Sequence, residues 1–545
     1  MLEVLRDGDI IQIEADAGTT VLEVLATEPS LAMTAPCGGR GKCGKCRIRV
    51  LEPQSPPTPS EADIRFLPEA DRARGVRLAC TCPADGVRQV ELLGAHARAN
   101  VKGNLPAFDI QANPPARFAE AGSLAVAVDI GTTTVAAFLV DAISGVPLAS
   151  ESEMNRQSVY GADVLSRISY AENGGLDRLS RAMRAQLQSM IAGLTAAVDR
   201  SIHEVGTVAV AGNTTMLHLL AGEDPGGIGR APFVPRFTEL REHGAGEIGL
   251  SLAAGAQVIL LPSVSAYVGA DIVAGAIAAD LDTANDTALL VDIGTNGELV
   301  LLAGGVPYAC STAAGPAFEG ATIHAGVGGI GGAIRSWSRD GDRFRFETIG
   351  DEEPVGLCGA GLLQLLASLL DDEVIDVTGR MCRPGDVSDG SWSQGGFYKD
   401  RLAIGPSGEP AVSLVGPYLL TQKDVREVQL AKAAIAAGID TLLSTAGLEP
   451  RGLDRVVLTG GFGQHLDIAA AVRLGMLPDV GHERFVTLDD AAGRGAILAL
   501  RNSWALMRMN EFRQAVHYIE LSAHERFQER YIEHMVFPEP GHAPA

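Results

Sequence analysis

Apolar and polar residues alternate at the start of the chain, with Val4 and Leu5 on one side of Arg6-Asp7-Gly8-Asp9 and Ile10, Ile11 and Ile13 on the other. A period of two around an Asp-Gly pair predicts a β-hairpin. Val21, Leu22 and Leu25 then follow Thr19-Thr20 at helical spacing, so the threonines cap a short helix. Hairpin followed by helix is how a β-grasp fold begins. Farther along, residues 124–140 and 289–302 each read as an apolar strand, a tight turn and a second apolar strand, and residues 455–459 as a further strand. Leu362 to Leu370 and Val428 to Ile439 have apolar residues at helical spacing and predict helices facing the core or a dimer partner. From Glu91 to Ala121 periodicity is lost among Ala, Asn, Gly and prolines 106, 114 and 115, which predicts a linker. Such a length would let the domain before it swing, and it equally suits a segment packed irregularly on the next domain.

At 545 residues the chain is long enough for several domains of roughly 150 residues each. Hydrophobic residues make up 46% and charged residues 20%, which excludes disordered, collagenous and coiled-coil classes. The net charge of −23 repels a phosphate backbone, so nucleic acid is a poor partner. The opening MLEVLRDGDI lacks an apolar core of signal-peptide length, and the most apolar stretch, Leu250 to Leu281, is interrupted by Pro262, Asp271 and glycines. The expectation is a cytoplasmic protein with no membrane partner.

Five of the eight cysteines lie between Cys37 and Cys82. Cys37, Cys43 and Cys46 form a C-x5-C-x2-C array in the loop CGGRGKCGKC, and Cys80 follows 34 residues after Cys46. Four thiolates can close one site. Glycines let the backbone wind tightly and aim amides at bridging sulfides. Structural zinc favours two compact knuckles, whereas three ligands in one loop plus a distant fourth suit a [2Fe–2S] cluster. The spacing is one residue longer than the plant-type C-x4-C-x2-C. Cys82 reads as a spare thiol. Gly39 to Lys45 also spells G-x4-G-K, but Cys46 stands where a phosphate-binding P-loop needs Ser or Thr for magnesium. Four thiolates, two sulfides and two ferric ions carry a charge of about −2. Arg40, Lys42, Lys45 and Arg47 surround that charge, either to compensate it or to dock an acidic redox partner.

The segments around Asp129-Ile130-Gly131-Thr132 and Asp292-Ile293-Gly294-Thr295 are near-copies. Each turn offers backbone amides, hydroxyls and one carboxylate, and two of them suggest duplicated halves facing across a cleft. Glycines admit phosphates, threonines donate to phosphate oxygens, and the aspartates can hold Mg²⁺ through water or orient an attacking water. Thr459-Gly460-Gly461-Phe462-Gly463 adds a glycine turn on which adenine and ribose can lie. Glu298 reads either as an assistant to Asp292 or as an ordinary strand-edge carboxylate. Cys310, Cys358 and Cys382 read as buried thiols, and His324 and His465 as non-ligands near glycine turns.

In this order the three segments resemble the phosphate-1, phosphate-2 and adenosine motifs of the ASKHA superfamily. Joined to the cysteine domain, they resemble the reductive activators of corrinoid-dependent methyltransferases. Residues 211–216, 310–320, 421–427 and 518–522 fit the same resemblance. It implies an α/β multidomain fold: a β-grasp [2Fe–2S] ferredoxin-like domain followed by a duplicated actin-like (ASKHA, ribonuclease-H-like) domain. The expected boundaries are 1–92 for the cluster domain, 93–122 for the linker, 123–283 for the first half, and 284–545 for the second half with a C-terminal extension.

The resemblance also implies a function: ATP drives one electron from the cluster to a Co(II) corrinoid on a partner protein, restoring Co(I) for methyl transfer. The implied cofactors are the [2Fe–2S] cluster, ATP and Mg²⁺. Cluster ligation falls to Cys37, Cys43, Cys46 and Cys80, and catalysis to Asp129 and Asp292. Nucleotide contacts fall to Gly131, Thr132, Thr133, Thr134, Gly294, Thr295, Asn296, Gly297, Gly460, Gly461 and Gly463, while Gly212 to Thr215 border the cleft or its hinge. The implied partners are the corrinoid protein, an electron donor protein or reductase, and a second copy in a homodimer. Two other functions fit the same residues: an ASKHA small-molecule kinase with a structural or regulatory cluster, and a nucleotide-binding redox sensor. An activator of another low-potential enzyme is a variant of the first reading.

Overall fold

The computed structural model describes residues 1–6, 9–28, 31, 33, 35, 39–42, 44–51, 56–93, 123–320, 322–340, 343–384, 398–463, 466–501 and 503–539. The expected linker therefore lies, apart from Leu93, outside the described residues. So do Cys37, Cys43 and His465. The chain forms two compact units, one of residues 1–261 with 500–503, the other of residues 262–499 with 504–545.

The first unit opens with β1 (Leu2–Arg6), β2 (Asp9–Ile13), β3 (Arg47–Val50), β4 (Val76–Leu78) and β5 (Gln89–Leu92), in a sheet of order β2-β1-β5-β3-β4. The hairpin pairs in register from Leu2↔Ile13 to Arg6↔Asp9, and β1 also runs parallel to β5. The helix Val21–Leu25 is capped as its sequence predicts: the Thr20 side chain accepts from Glu23 N, and Glu23 accepts from Thr20 N in return. Leu2, Val4, Leu22, Leu25, Ile48, Leu78 and Val90 fill the space between helix and sheet. This is the expected β-grasp.

Six strands follow in the same unit: β6 (Leu124–Ile130), β7 (Thr134–Asp141), β8 (Pro147–Met154), β9 (Val205–Gly212), β10 (Arg241–Gly244) and β11 (Gln257–Leu260). Their order is β10-β11-β9-β6-β7-β8. β6 pairs antiparallel with β7 and parallel with β9, which runs parallel to β11. The helix Leu176–Ala196 buries Leu179, Met183, Leu187, Met190, Ile191 and Leu194 along one stripe.

The second unit repeats the arrangement with β12 (Ala288–Ile293), β13 (Gly297–Ala303) and β14 (Val306–Thr312). Two three-stranded sheets intervene. One contains β15 (Ala333–Asp340), β16 (Arg343–Thr348) and β17 (Gly356–Leu357), the other β18 (Leu402–Ile404), β19 (Pro410–Ser413) and β20 (Leu419–Thr421). β21 (Arg455–Thr459), β22 (Phe485–Thr487) and β23 (His517–Tyr518) then complete the order β22-β21-β12-β13-β14-β23. A meander joined to two parallel strands thus occurs in both units, as the duplicated D-I-G-T segments lead one to expect. The predicted apolar helices are Gly359–Asp371 and Gln422–Thr445, both in the core of this unit. Among the described residues no helix is long and apolar enough to cross a membrane.

Three expectations need correction. Cys382 is partly exposed, because it follows a short bridge at Met381 instead of entering a core element. Glu298 does not stand on a sheet edge, since β13 lies between β12 and β14. The glycine turn after β21 is a single helical turn, Gly460–Gly463.

Candidate functional site

Of the four predicted cluster ligands, Cys46 and Cys80 are described. Both are buried, and their backbones adjoin: β3 and β4 pair through Arg47↔Leu78, and Ala79 N donates to Cys46 O at 2.7 Å. Asp63, buried and capped with Ser60, accepts from Leu78 N at 2.7 Å and so pins the strand that leads into Cys80. The helix Val21–Leu25 begins on the same turn, with Val21 N donating to Cys82 O at 2.9 Å. The loop between is wound so tightly that Gly44, at φ +68°, leaves no room for a Cβ, which would stand 2.7 Å from Phe66 Cβ. Paired buried cysteines at the foot of a glycine-wound loop fit a [2Fe–2S] cluster. Burial pushes the Cys82 thiol up to about 11, so it stands as a thiol in the core. Basic residues nearby engage their own chain: Arg47 Nε donates to Gly44 O at 3.1 Å, and Arg40 pairs with Asp163 at 3.6 Å.

In the first unit Asp129 is the penultimate residue of β6, and Gly131 to Thr133 make the turn into β7, which Thr134 begins. Asn213, at the end of β9, donates from Nδ2 to Thr132 Oγ1 at 3.1 Å while its own Oδ1 caps the helix Thr214–Ala221. The predicted segment 212–215 is thereby brought to the turn. Asn155 and Arg167 were not foreseen. Asn155 donates to the carbonyls of Gly131 and Thr133, both at 2.8 Å, and Arg167 to that of Thr132 at 2.5 Å. Arg167 is wholly buried, and desolvation draws its pKa down to about 9, so it remains charged at neutral pH. An arginine inside an amphipathic helix carries no sequence signal that distinguishes it from a solvated one.

In the second unit Asp292 is the penultimate residue of β12, and Gly294 to Asn296 form the turn, closed by Gly294 N donating to Asn296 O at 2.9 Å. Thr295 Oγ1 donates to Glu319 Oε1 at 2.8 Å, and Thr312 Oγ1 to Gly297 O at 3.0 Å. β12 runs parallel to β21 with Asp292 opposite Thr459. This brings the predicted glycine turn against the aspartate: a Cβ on Gly460 would collide with Asp292 Oδ1 and with the backbone of Ile293. Thr459 Oγ1 in turn accepts from Ala491 N at 3.2 Å.

Four carboxyl groups in this unit act on one another. Burial first, then the neighbouring Asp271 and Asp490, push Asp292 up to about 7. Burial raises Asp271 to about 6. Glu298 lies opposite Asp292 in the sheet register and is pushed well up by burial, Asp271 and Asp292. Asp490 is raised chiefly by burial as well. Asp271 was visible in the sequence only as an interruption of the most apolar stretch, and Asp490 gave no signal. Among the described residues no group of three or more His, Cys, Asp or Glu forms a ready metal cage.

Comparison with known proteins accords with this geometry. Residues 4–85 match a 2Fe-2S iron-sulfur cluster binding domain, residues 124–284 the RACo middle region, and residues 286–544 the C-terminal domain of RACo, the ASKHA domain. The chain is 30% identical over 422 residues to the corrinoid activation enzyme RamQ of Eubacterium limosum, covering 76% of this chain and 70% of the relative. It is 26% identical over 369 residues to the [Co(II) methylated amine-specific corrinoid protein] reductase of Methanosarcina barkeri, covering 65% of each. A solved structure of a reductive activator for a corrinoid, iron-sulfur protein matches at TM-score 0.70 and 27% identity, covering 99% of both chains. Three models of one architecture that together span nearly all of the sequence, and a 30% identical relative covered over 70% of its length, show that this chain belongs to the RACo family of reductive corrinoid activators.

Proposed function

We propose that the protein is an ATP-dependent reductive activator that passes one electron to the Co(II) corrinoid of a partner protein in a methyltransferase system, restoring Co(I). The observation that carries this reading is the union in one chain of a β-grasp domain with adjoining buried Cys46 and Cys80 and two D-I-G-T turns at matched places in two sheets that share a five-strand order, β11-β9-β6-β7-β8 and β22-β21-β12-β13-β14. We take the domains as 1–92, 93–122, 123–283 and 284–545, and the protein as cytoplasmic.

Cys37, Cys43, Cys46 and Cys80 hold the cluster, which when bound supplies one electron at a time. Plant-type clusters sit near about −400 mV, and an acceptor lower than that costs roughly 2.3 kcal/mol per 100 mV of climb. Nucleotide offsets such a cost only by binding one state of the complex better than another.

The chain's own residues prepare the nucleotide site. Gly131 to Thr134 and Gly294 to Gly297 receive phosphates, and Gly460, Gly461 and Gly463 receive the adenosine. Asp129 and Asp292 hold Mg²⁺ or orient water. With a pKa of about 7 Asp292 is partly protonated near neutrality, and a bound cation would favour its carboxylate, the proton leaving to solvent, and would offset the repulsion from Asp271 and Asp490.

The test is anaerobic. Reductant, holoprotein and a corrinoid methyltransferase subunit are mixed with and without MgATP while the cobalt absorption bands are followed, with Cys46→Ala and Asp292→Asn as controls. Co(I) is expected only when ATP, cluster and Asp292 are all present. ATP consumption with unchanged cobalt bands overturns the reading.

A further inference from the structure

Between β8 and the helix Val164–Tyr170, residues 155–163 form a strap with two working faces. One face holds the first D-I-G-T turn, where three successive carbonyls are claimed from the same side. Gly131 O accepts from Asn155 Nδ2 at 2.8 Å, Thr132 O from Arg167 Nη2 at 2.5 Å, and Thr133 O from the backbone amide of Asn155 at 2.8 Å. Arg167, on the helix that follows, is tied to the strap, since its Nε donates to Gly161 O at 2.9 Å and its Nη1 to Gln157 Oε1 at 3.4 Å. In a trans peptide the N–H points opposite to the C=O. Fixing these three carbonyls therefore aims the amides of Thr132, Thr133 and Thr134 away from the strap, in the manner of an anion-binding nest.

The other face of the strap carries the cluster domain. Val159 is only 8% exposed because it joins the hydrophobic core of the β-grasp. The cysteine loop runs directly over it: a Cβ on Gly39 would stand 2.7 Å from Val159 O and 3.6 Å from Leu22 Cδ2. Tyr160 packs beside that core and stacks on Tyr170, with ring centroids 5.0 Å apart. Two ion pairs flank the contact, Arg40 with Asp163 at 3.6 Å and Arg178 with Glu23 at 3.7 Å.

We infer that this strap couples nucleotide binding to docking of the cluster domain: nucleotide at Gly131 to Thr134 tightens the seat of the cluster domain on Val159 to Asp163, and the seated domain strengthens nucleotide binding by the same factor. The inference rests on the nucleotide-binding reading above. Its physical basis is that nine residues of chain, together with Arg167 hydrogen-bonded to two of them, carry both contact sets, so order imposed on one face is order already present for the other. Linkage makes the effect reciprocal, with typical factors of about 5 to 150. Asn155 and Arg167 are positioning residues in this scheme, and Val159 is the seat.

The test uses the full-length holoprotein and a non-hydrolysable MgATP analogue, with amide hydrogen exchange and nucleotide affinity as readouts. Val159→Asp places a carboxylate in the seat without touching the turn, and Val159→Ala does the same more gently. In the unaltered protein the analogue should slow exchange at residues 131–134 and also at residues 21–25 and 39–42. In Val159→Asp the first protection should persist and the second vanish, while nucleotide affinity falls about tenfold, with Val159→Ala between. Protection at 131–134 with no response in the cluster domain, or equal affinity in all three proteins, overturns the coupling and leaves the nucleotide site standing. No protection at 131–134 even at saturating analogue overturns both.

Discussion

Asp292 is held near a pKa of about 7 by burial and by Asp271 and Asp490, against an ordinary value of 3.8. A folded-state pKa raised in this way contributes stability that is complete below about pH 4 and is lost as pH rises through about 7. The nucleotide-free protein should accordingly lose part of its denaturation free energy between pH 5 and pH 8, and Asp292→Asn should flatten that slope. Cation binding runs the other way, because a bound Mg²⁺ needs the ionised carboxylate. MgATP affinity should weaken as pH falls below 7, by up to about tenfold per unit for one proton displaced, which a binding titration at pH 6 and pH 8 will show. Cys82 gives a second test at this scale. Buried as a thiol, it should be dispensable: Cys82→Ala should keep its iron and visible absorption, whereas Cys46→Ala and Cys80→Ala should lose both. The sequence pointed to the cysteines through their spacing and to Asp292 through a duplicated turn and the family it resembles. It gave no sign of Asp490, Asn155 or Arg167, whose importance arises from what they touch.

Among the elements, the two hairpins differ in a way their shared D-I-G-T hides. Ile130 pairs with Val135 around Gly131 to Thr134, whereas Ile293 pairs with Gly297 around Gly294 to Asn296, a turn one residue shorter. Ala136 therefore lies opposite Asp129, while Glu298 lies opposite Asp292. The two halves are not chemically equivalent, and the concentration of carboxyl groups belongs to the second. A different element-level dependence appears at the C-terminal end. The helix Gln422–Thr445 holds the segment 535–538 through Gln429 Nε2 to Met535 O and Lys432 Nζ to Val536 O, both at 2.7 Å. Lys432 also lies over the Phe537 ring, 5.2 Å from its centroid, and Arg473 Nη1 donates to Pro538 O at 2.9 Å. Phe537 itself is 2% exposed in the core of the second unit. Phe537→Ala should cost about 3–5 kcal/mol, read as a lower denaturant midpoint for that unit with unchanged cluster absorption.

For the molecule as a whole, a nucleotide bound only by the folded state must stabilise it. MgATP at a hundredfold excess over its Kd should add about 2.7 kcal/mol to unfolding, seen as a rise in the calorimetric transition, and Asp292→Asn should lose most of that rise. The β-grasp opening and the duplicated hairpins were legible because each rests on local periodicity and turn chemistry, which neighbouring residues dictate, and the fold class followed from the family resemblance that these motifs carry. The order of the six-stranded sheets, the approach of Gly460 to Asp292, the inner position of β13 and the strap beneath the cluster loop were not. They join residues far apart in the chain, such as Thr132 with Arg167 and Gly39 with Val159. By itself, then, the sequence determined which chemistry this protein carries, since cysteine spacing and glycine turns are written in consecutive residues. Only the tertiary structure decided how the parts act on one another, because burial, proton affinity and shared hydrogen bonds exist only once distant segments meet.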